Sequence, residues 1–264
     1  MPFAQFSDRR IHYQLDGEPS APLLVLSNSL GTDLHMWDAQ VHSLAHKIQF
    51  LRYDTRGHGQ SSVTLGPYSI EQLGQDVVNL LDYLGQDRVH FCGLSLGGLT
   101  GIWLASNHSD RFHSFVFCNT AAKIGQAETW NARIDAVRSC GMQAIVDSVM
   151  ERWFSPQFRS SHPKAIASMC NTLVTLPSDG YIGCCQALRD TDLRPQLSSI
   201  RARVLVIAGR HDAATTPADG EYLQRNIPDA QYVKLEAAHL SNIEDPPEFN
   251  SALCQFLAIE TEAN

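Results

Sequence analysis

The sequence is poor in the features that would mark a membrane, secreted or nucleic-acid-binding protein. It has no run of about 18 apolar residues, so no membrane-spanning helix is expected. The first residues, Met1 to Asp8, lack a basic stretch followed by an apolar one, so no secretory leader is expected and the cytoplasm is the expected location. Positive charge is in deficit. Twenty Lys and Arg stand against 28 Asp and Glu, a net charge of −8, which argues against nucleic acid and anionic membrane surfaces as partners. The seven cysteines, at 92, 118, 140, 170, 184, 185 and 254, are odd in number and form no C-x-x-C pair or His-spaced zinc pattern. They read as small core residues in a reducing compartment.

What is present is an ordinary globular composition, 44% hydrophobic and 18% charged. Its 264 residues suit one domain, or a domain with an insertion, burying about three quarters of the unfolded surface. One stretch organises the rest: Phe91-Cys92-Gly93-Leu94-Ser95-Leu96-Gly97-Gly98. An apolar run, 89–92, leads in and a helical pattern, 96–105, leads out. Between them Ser95 occupies Gly-x-Ser-x-Gly, the nucleophile elbow. Glycines two residues either side remove the Cβ atoms that would collide as strand reverses into helix, leaving the serine strained with its hydroxyl exposed. The helix N-terminus beside it favours negative charge. The motif is short enough to arise by chance, so its weight depends on partners elsewhere.

Along the chain, 3–16 reads as two short antiparallel strands joined near Ser7-Asp8, and 22–27 as a strand buried on both faces. The loop 28–33 follows, then a helix from Met36 or Trp37 to His46, a strand over 48–53 and the loop 54–59. Helical spacing of Ile70, Leu73, Val77, Leu80, Leu81 and Leu84 predicts a helix over 69–85, and 112–118 is the next strand. Residues 121–190 show helical patterns only, over 127–138, 142–152, 164–173 and 180–188. Strands at 204–208 and 231–235 then alternate with helices at 218–226 and 247–259. The expected class is α/β, a mostly parallel sheet flanked by helices. Its core is 1–120 with 191–264, and 121–190 is an inserted helical cap over the sheet's carboxyl edge, where open α/β sheets bind ligands. The cap carries seven basic and six acidic residues, leaving 13 and 22 for the core. Cap arginines turned inward would meet an anionic substrate.

Serine needs a base, and the base an orienting carboxylate. The strand at 204–208 runs into Gly209-Arg210-His211-Asp212, and the strand at 231–235 into Glu236-Ala237-Ala238-His239. Asp212 and His239 therefore stand at matching heights above the sheet, in the chain order Ser, Asp, His that this architecture uses. Among competitors, His211 lies on the acid's own loop and His58 in an earlier turn where packing is its expected role. Asn119, after strand 112–118, has no carboxylate to hold an imidazolium. The amides of Leu96 and Leu30 are the expected oxyanion donors. Together these residues specify serine hydrolysis of an acyl compound, a chemistry that requires neither metal nor organic cofactor.

With these residues in place the chain resembles the α/β-hydrolase superfamily and, within it, the 3-oxoadipate enol-lactonase family. The resemblance rests on Leu26-Ser-Asn-Ser-Leu-Gly-Thr-Asp33, Tyr53-Asp-Thr-Arg-Gly-His-Gly59, Cys92-Gly-Leu-Ser-Leu-Gly-Gly-Leu99, Cys118-Asn-Thr-Ala-Ala-Lys123 and Ala237-Ala-His-Leu-Ser-Asn-Ile243. Many hydrolases carry His-Gly where Asn28-Ser29 stands here. The resemblance implies an α/β-hydrolase fold and a small lactone bearing a carboxymethyl arm, opened to 3-oxoadipate in aromatic catabolism. The substrate's free carboxylate wants a cation. Arg133, three residues beyond Trp130 on one helix face, is the expected contact, with Trp130 beside it and Trp153 as a third wall. The same catalytic groups would serve a carboxylesterase, a carbon–carbon bond hydrolase of ring-cleavage products or a perhydrolase. A ligand receptor built on a hydrolase is the non-enzyme alternative. Serine at 95 speaks against a dehalogenase, whose chemistry uses aspartate there. Oligomeric state is left open.

Overall fold

A computed structural model describes residues 2–258. Eight strands form one sheet in the order β1-β2-β4-β3-β5-β6-β7-β8. β1 (Phe3–Gln5) and β2 (Arg10–Asp16) form the expected antiparallel pair, and β2 also runs antiparallel to β4 (Gln49–Tyr53). From β4 onward, β3 (Leu23–Ser27), β5 (Val89–Leu94), β6 (Phe112–Cys118), β7 (Arg203–Gly209) and β8 (Gln231–Leu235) are all parallel. Every residue of β3 is buried, as an unbroken apolar run requires when helices cover both faces.

On the core, α1 (Asp38–Leu44) follows a single 3-10 turn over Leu34–Trp37. α2 (Ile70–Tyr83) starts at a reciprocal cap between Ser69 and Gln72 and buries the predicted stripe of Ile70, Leu73, Val77, Leu80 and Leu81. α3 (Leu96–Asn107) leads out of the serine motif. Between β6 and β7 come α4 (Ala127–Cys140), α5 (Val146–Trp153), α6 (Pro156–Ser161), α7 (Pro163–Thr175) and α8 (Ser178–Asp190), with no strand among the described residues of 121–190. The helix expected from 142 opens as a 3-10 turn, Met142–Ile145. α6 was not expected, because six residues are too few for a periodic signal; its start is nevertheless marked by Ser155, which caps the Phe158 amide ahead of Pro156. α9 (Pro217–Asn226), α10 (Ser241–Glu244) and α11 (Pro246–Leu257) complete the chain. α11 closes with Ala258 in the left-handed region, and the end expected at 259 lies outside the described residues.

The helices between β6 and β7 lie against the loops that leave the carboxyl ends of the strands. Trp153 O at the end of α5 accepts the Leu240 amide at 3.0 Å, and Gly180 of α8 packs directly on the Gly57 backbone after β4. Among the described residues no helix is long and apolar enough to cross a membrane.

Candidate active site

β5 ends at Leu94, and Ser95 then stands at φ 58°, ψ −111° before α3 begins. A non-glycine residue held there is strained, and persists only where its surroundings over-determine it. Here the Ser95 amide donates to Cys118 O at 2.9 Å and its carbonyl accepts from Thr120 Oγ1 at 2.7 Å. Both flanking glycines are needed, Gly93 because the turn itself is tight, as its spacing suggests, and Gly97 because α3 starts against the end of β3. A Cβ on Gly93 would lie 2.2 Å from Gly97 O, and one on Gly97 would lie 2.2 Å from Ser27 O.

Asp212 follows β7 and His239 follows β8. Asp212 Oδ2 lies 2.8 Å from His239 Nδ1, with both side chains almost wholly buried. The carboxylate is otherwise saturated. Oδ1 accepts the amides of Ala214 and Thr215 at 2.7 and 3.0 Å, and Oδ2 accepts Thr215 Oγ1 at 2.8 Å and Asn119 Nδ2 at 3.0 Å. Burial works against its charge, but the His239 charge and hydrogen bond, with the Asn119 and Thr215 donors, outweigh it and hold the carboxyl below its usual range. With Nδ1 committed to Asp212, Nε2 is the ring nitrogen left for Ser95. Ser95 and His239 line one cavity, and among the described residues no hydrogen bond within 3.5 Å joins them. Such contacts are commonly long in unliganded sites and tighten around substrate.

Leu30 lines the same cavity. Around it, the Ser29 amide points to Met36 Sδ at 3.3 Å, the Gly31 amide donates to His58 Nε2 at 3.1 Å and the Thr32 amide to Ser29 O at 3.3 Å. The Leu30 amide has no protein acceptor among the described residues, and neither has that of Leu96 in the first turn of α3. Two amides without a protein acceptor are thus near the serine in chain or cavity, Leu96 next to it in sequence and Leu30 in the lining of the same cavity.

The cavity has a volume of about 60 Å³. Trp130, Arg133, Arg152, Trp153 and Tyr181 also line it. Trp130 is fixed by its indole N–H on Ile124 O at 2.6 Å, and the Arg133 guanidinium sits 5.3 Å over its ring. All three residues expected to contact substrate thus reach the cavity. Arg152 was missed: it precedes Trp153 on α5, and adjacent helical residues point about 100° apart, so a choice by face takes one of them. Burial, and then the Arg133 charge, lowers its pKa. Among the described residues neither arginine has a carboxylate within 4.0 Å, so the cavity holds two cations without an anion.

The competing histidines fall as expected. His211 is exposed and lies 3.1 Å from Glu236. His58 is buried in the turn after β4. Asn119 does more than fill the end of β6. Held at φ 44°, it donates to Asp212 and, at 3.1 Å, to Ala238 O, while its Oδ1 accepts Ser241 Oγ at 2.6 Å. It ties the loops after β6, β7 and β8 together. Nothing in the sequence pattern marks that role, because the partners are brought together only by strand order.

The chain is similar to known proteins over most of its length. Residues 22–141 match the family model described as alpha/beta hydrolase fold. 3-Oxoadipate enol-lactonase 2 of Acinetobacter baylyi is 45% identical over 246 residues, covering 93% of this chain and 92% of the relative. 3-Oxoadipate enol-lactonase 1 of the same organism is 42% identical, covering 91% and 90%. The crystal structure of the enol-lactonase from Burkholderia xenovorans LB400 superposes with a TM-score of 0.96 at 46% identity, covering 97% of this chain and all of that one. By its fold, its serine elbow and these relatives, the chain belongs to the α/β-hydrolase family.

Proposed function

We propose that the protein opens a small enol-lactone carrying a free carboxylate, 3-oxoadipate enol-lactone, to 3-oxoadipate. The observation that carries the reading is one cavity lined both by Ser95 and His239 and by Arg133 and Arg152, neither arginine having a carboxylate partner among the described residues. Residues 121–190 serve as the cap that supplies those cations, and the relatives named above support the substrate class.

Ser95 Oγ attacks the lactone carbonyl while His239 Nε2 takes its proton. Asp212 holds the imidazole in the tautomer this requires and steadies the imidazolium that forms. The Leu30 and Leu96 amides receive the tetrahedral oxyanion. When the ring C–O bond breaks, the leaving enolate collects the proton from His239 and becomes a ketone. It is a good leaving group, so positioning is the main demand on the protein. The acyl group stays on Ser95 with the ketone arm attached. Water gives a proton to His239, attacks the ester and releases the diacid, and Ser95 recovers its proton. Arg133 and Arg152 bind the substrate carboxylate throughout, with Trp130 and Trp153 closing on the ring.

The test compares kcat/KM for 3-oxoadipate enol-lactone with that for uncharged aryl acetates. The lactone is expected to be preferred by well over tenfold. A wide margin in favour of the aryl esters would reduce the assignment to a general esterase.

A further inference from the structure

His58 packs in its turn, as expected, but its ring also reaches the loop after β3. Its Nε2 lies 3.1 Å from the Gly31 amide. An amide N–H only donates, so Nε2 holds a lone pair and the ring proton is on Nδ1, which faces Arg56 O at 3.4 Å and Cys184 Sγ at 3.9 Å. Complete burial lowers its pKa to about 4, so the ring is neutral at ordinary pH.

The consequence lies one residue away. Leu30 is flanked by two rigid peptide planes, and its N–H points opposite to the Ser29 carbonyl in the first of them. That carbonyl is fixed inside the loop by the Thr32 amide at 3.3 Å and Thr32 Oγ1 at 2.8 Å. The second plane, from Leu30 to Gly31, is held from outside the loop by His58. Gly31 sits at φ +91°, where a Cβ would come within 2.9 Å of Leu173 and 3.2 Å of Trp153. The loop is thus clamped between cap and His58 in a backbone conformation that suits glycine.

We propose that His58 is a positioning residue for the oxyanion hole: by accepting the Gly31 amide it fixes the Leu30 backbone so that the Leu30 N–H keeps its aim beside Ser95. The inference rests on the acyl-transfer reading above. A donor aimed at the oxyanion acts on the transition state more than on bound substrate, so its misalignment lowers kcat and leaves KM nearly unchanged.

The test compares His58→Leu, which fills the space without an acceptor, with His58→Gln, whose Oε1 reaches about as far as Nε2. Loss of one oxyanion donor costs about 10²–10³-fold in kcat, and a misaimed one less. His58→Leu is therefore expected to lose about 10–100-fold in kcat, with KM within about threefold, and His58→Gln to recover most of the loss. Affinity for phenylboronic acid, which forms a tetrahedral adduct on serine, should fall in step with kcat, while affinity for adipate holds. Should His58→Leu not fold, His58→Asn carries the test: it is polar but too short to reach Gly31, and should be as slow. The inference is overturned if the acceptor-free variant keeps kcat within twofold of wild type, or if His58→Gln is as slow as it at equal Tm. Ser95→Ala separates the two readings. Surviving turnover there removes the acyl-transfer mechanism, whereas an inactive Ser95→Ala beside a fully active His58→Leu removes only the role of His58.

Discussion

Replacing Arg133 by alanine takes one of the two cations from the cavity and leaves Arg152 in place. A hydrogen bond between a guanidinium and a carboxylate contributes about 1.5–3 kcal/mol where water is largely excluded. At 1.4 kcal/mol per factor of ten, that is about 10–150-fold in kcat/KM for a carboxylate-bearing lactone. Two considerations place the effect in the lower half of that range. Arg133 is only partly buried, so water screens part of its attraction, and Arg152 remains in the cavity to hold the carboxylate. The expected loss is about 10–50-fold, mostly in KM. The corresponding methyl ester, which offers no anion, should change by less than about threefold through loss of packing against Trp130. Arg133→Lys should fall between, since it keeps the charge but not the bidentate fork. Measuring both substrates with wild type and variants decides the matter. Equal losses on lactone and ester would show that Arg133 shapes the cavity without binding the carboxylate, and the reasoning from charge would fail.

Asn119→Ala should lower kcat/KM by about 10–100-fold, because it strips a donor from the buried Asp212 carboxylate and frees the His239 loop at Ala238. In an Asp212→Asn background the part that acts through Asp212 should vanish and only the cost of freeing the loop at Ala238 should remain; a double-mutant cycle measures the coupling. Folding stability should also depend on acid. Burial lowers His58 from an ordinary 6.5 to about 4, so the unfolded chain binds a proton that the folded one refuses between those values. The stability His58 contributes is full above about pH 6.5 and is lost as pH falls towards 4, with a slope of about 1.4 kcal/mol per pH unit for one proton. His90 is lowered in the same direction, first by burial and then by His113 and Arg203. Urea unfolding at pH 7, 6 and 5 should show proton uptake on unfolding, and a flat profile would mean that His58 is not buried neutral.

Much of this site is legible in the sequence because its parts are local. Gly93, Ser95 and Gly97 carry the elbow within five residues, and Asp212 and His239 each follow an apolar run at the distance where a strand ends. The Leu30 amide could be chosen because a loop after a strand has few places to offer a donor. The unforeseen residues all act across the fold. Asn119 meets Asp212 and Ala238 only because β6, β7 and β8 are neighbours, His58 meets Gly31 only because β4 lies beside β3, and Arg152 turns inward by the packing of α5. α6 escaped notice for a different reason, being shorter than two helical turns.

Every step proposed here begins at Ser95 as the nucleophile, and the most direct measurement is turnover of 3-oxoadipate enol-lactone by Ser95→Ala with folding and adipate binding checked in the same preparation. The expected result is a fall in kcat/KM of about 10⁴-fold or more with binding retained, because the remaining amides and cations can still hold the substrate. Turnover within tenfold of wild type in a folded, ligand-binding Ser95→Ala would contradict it.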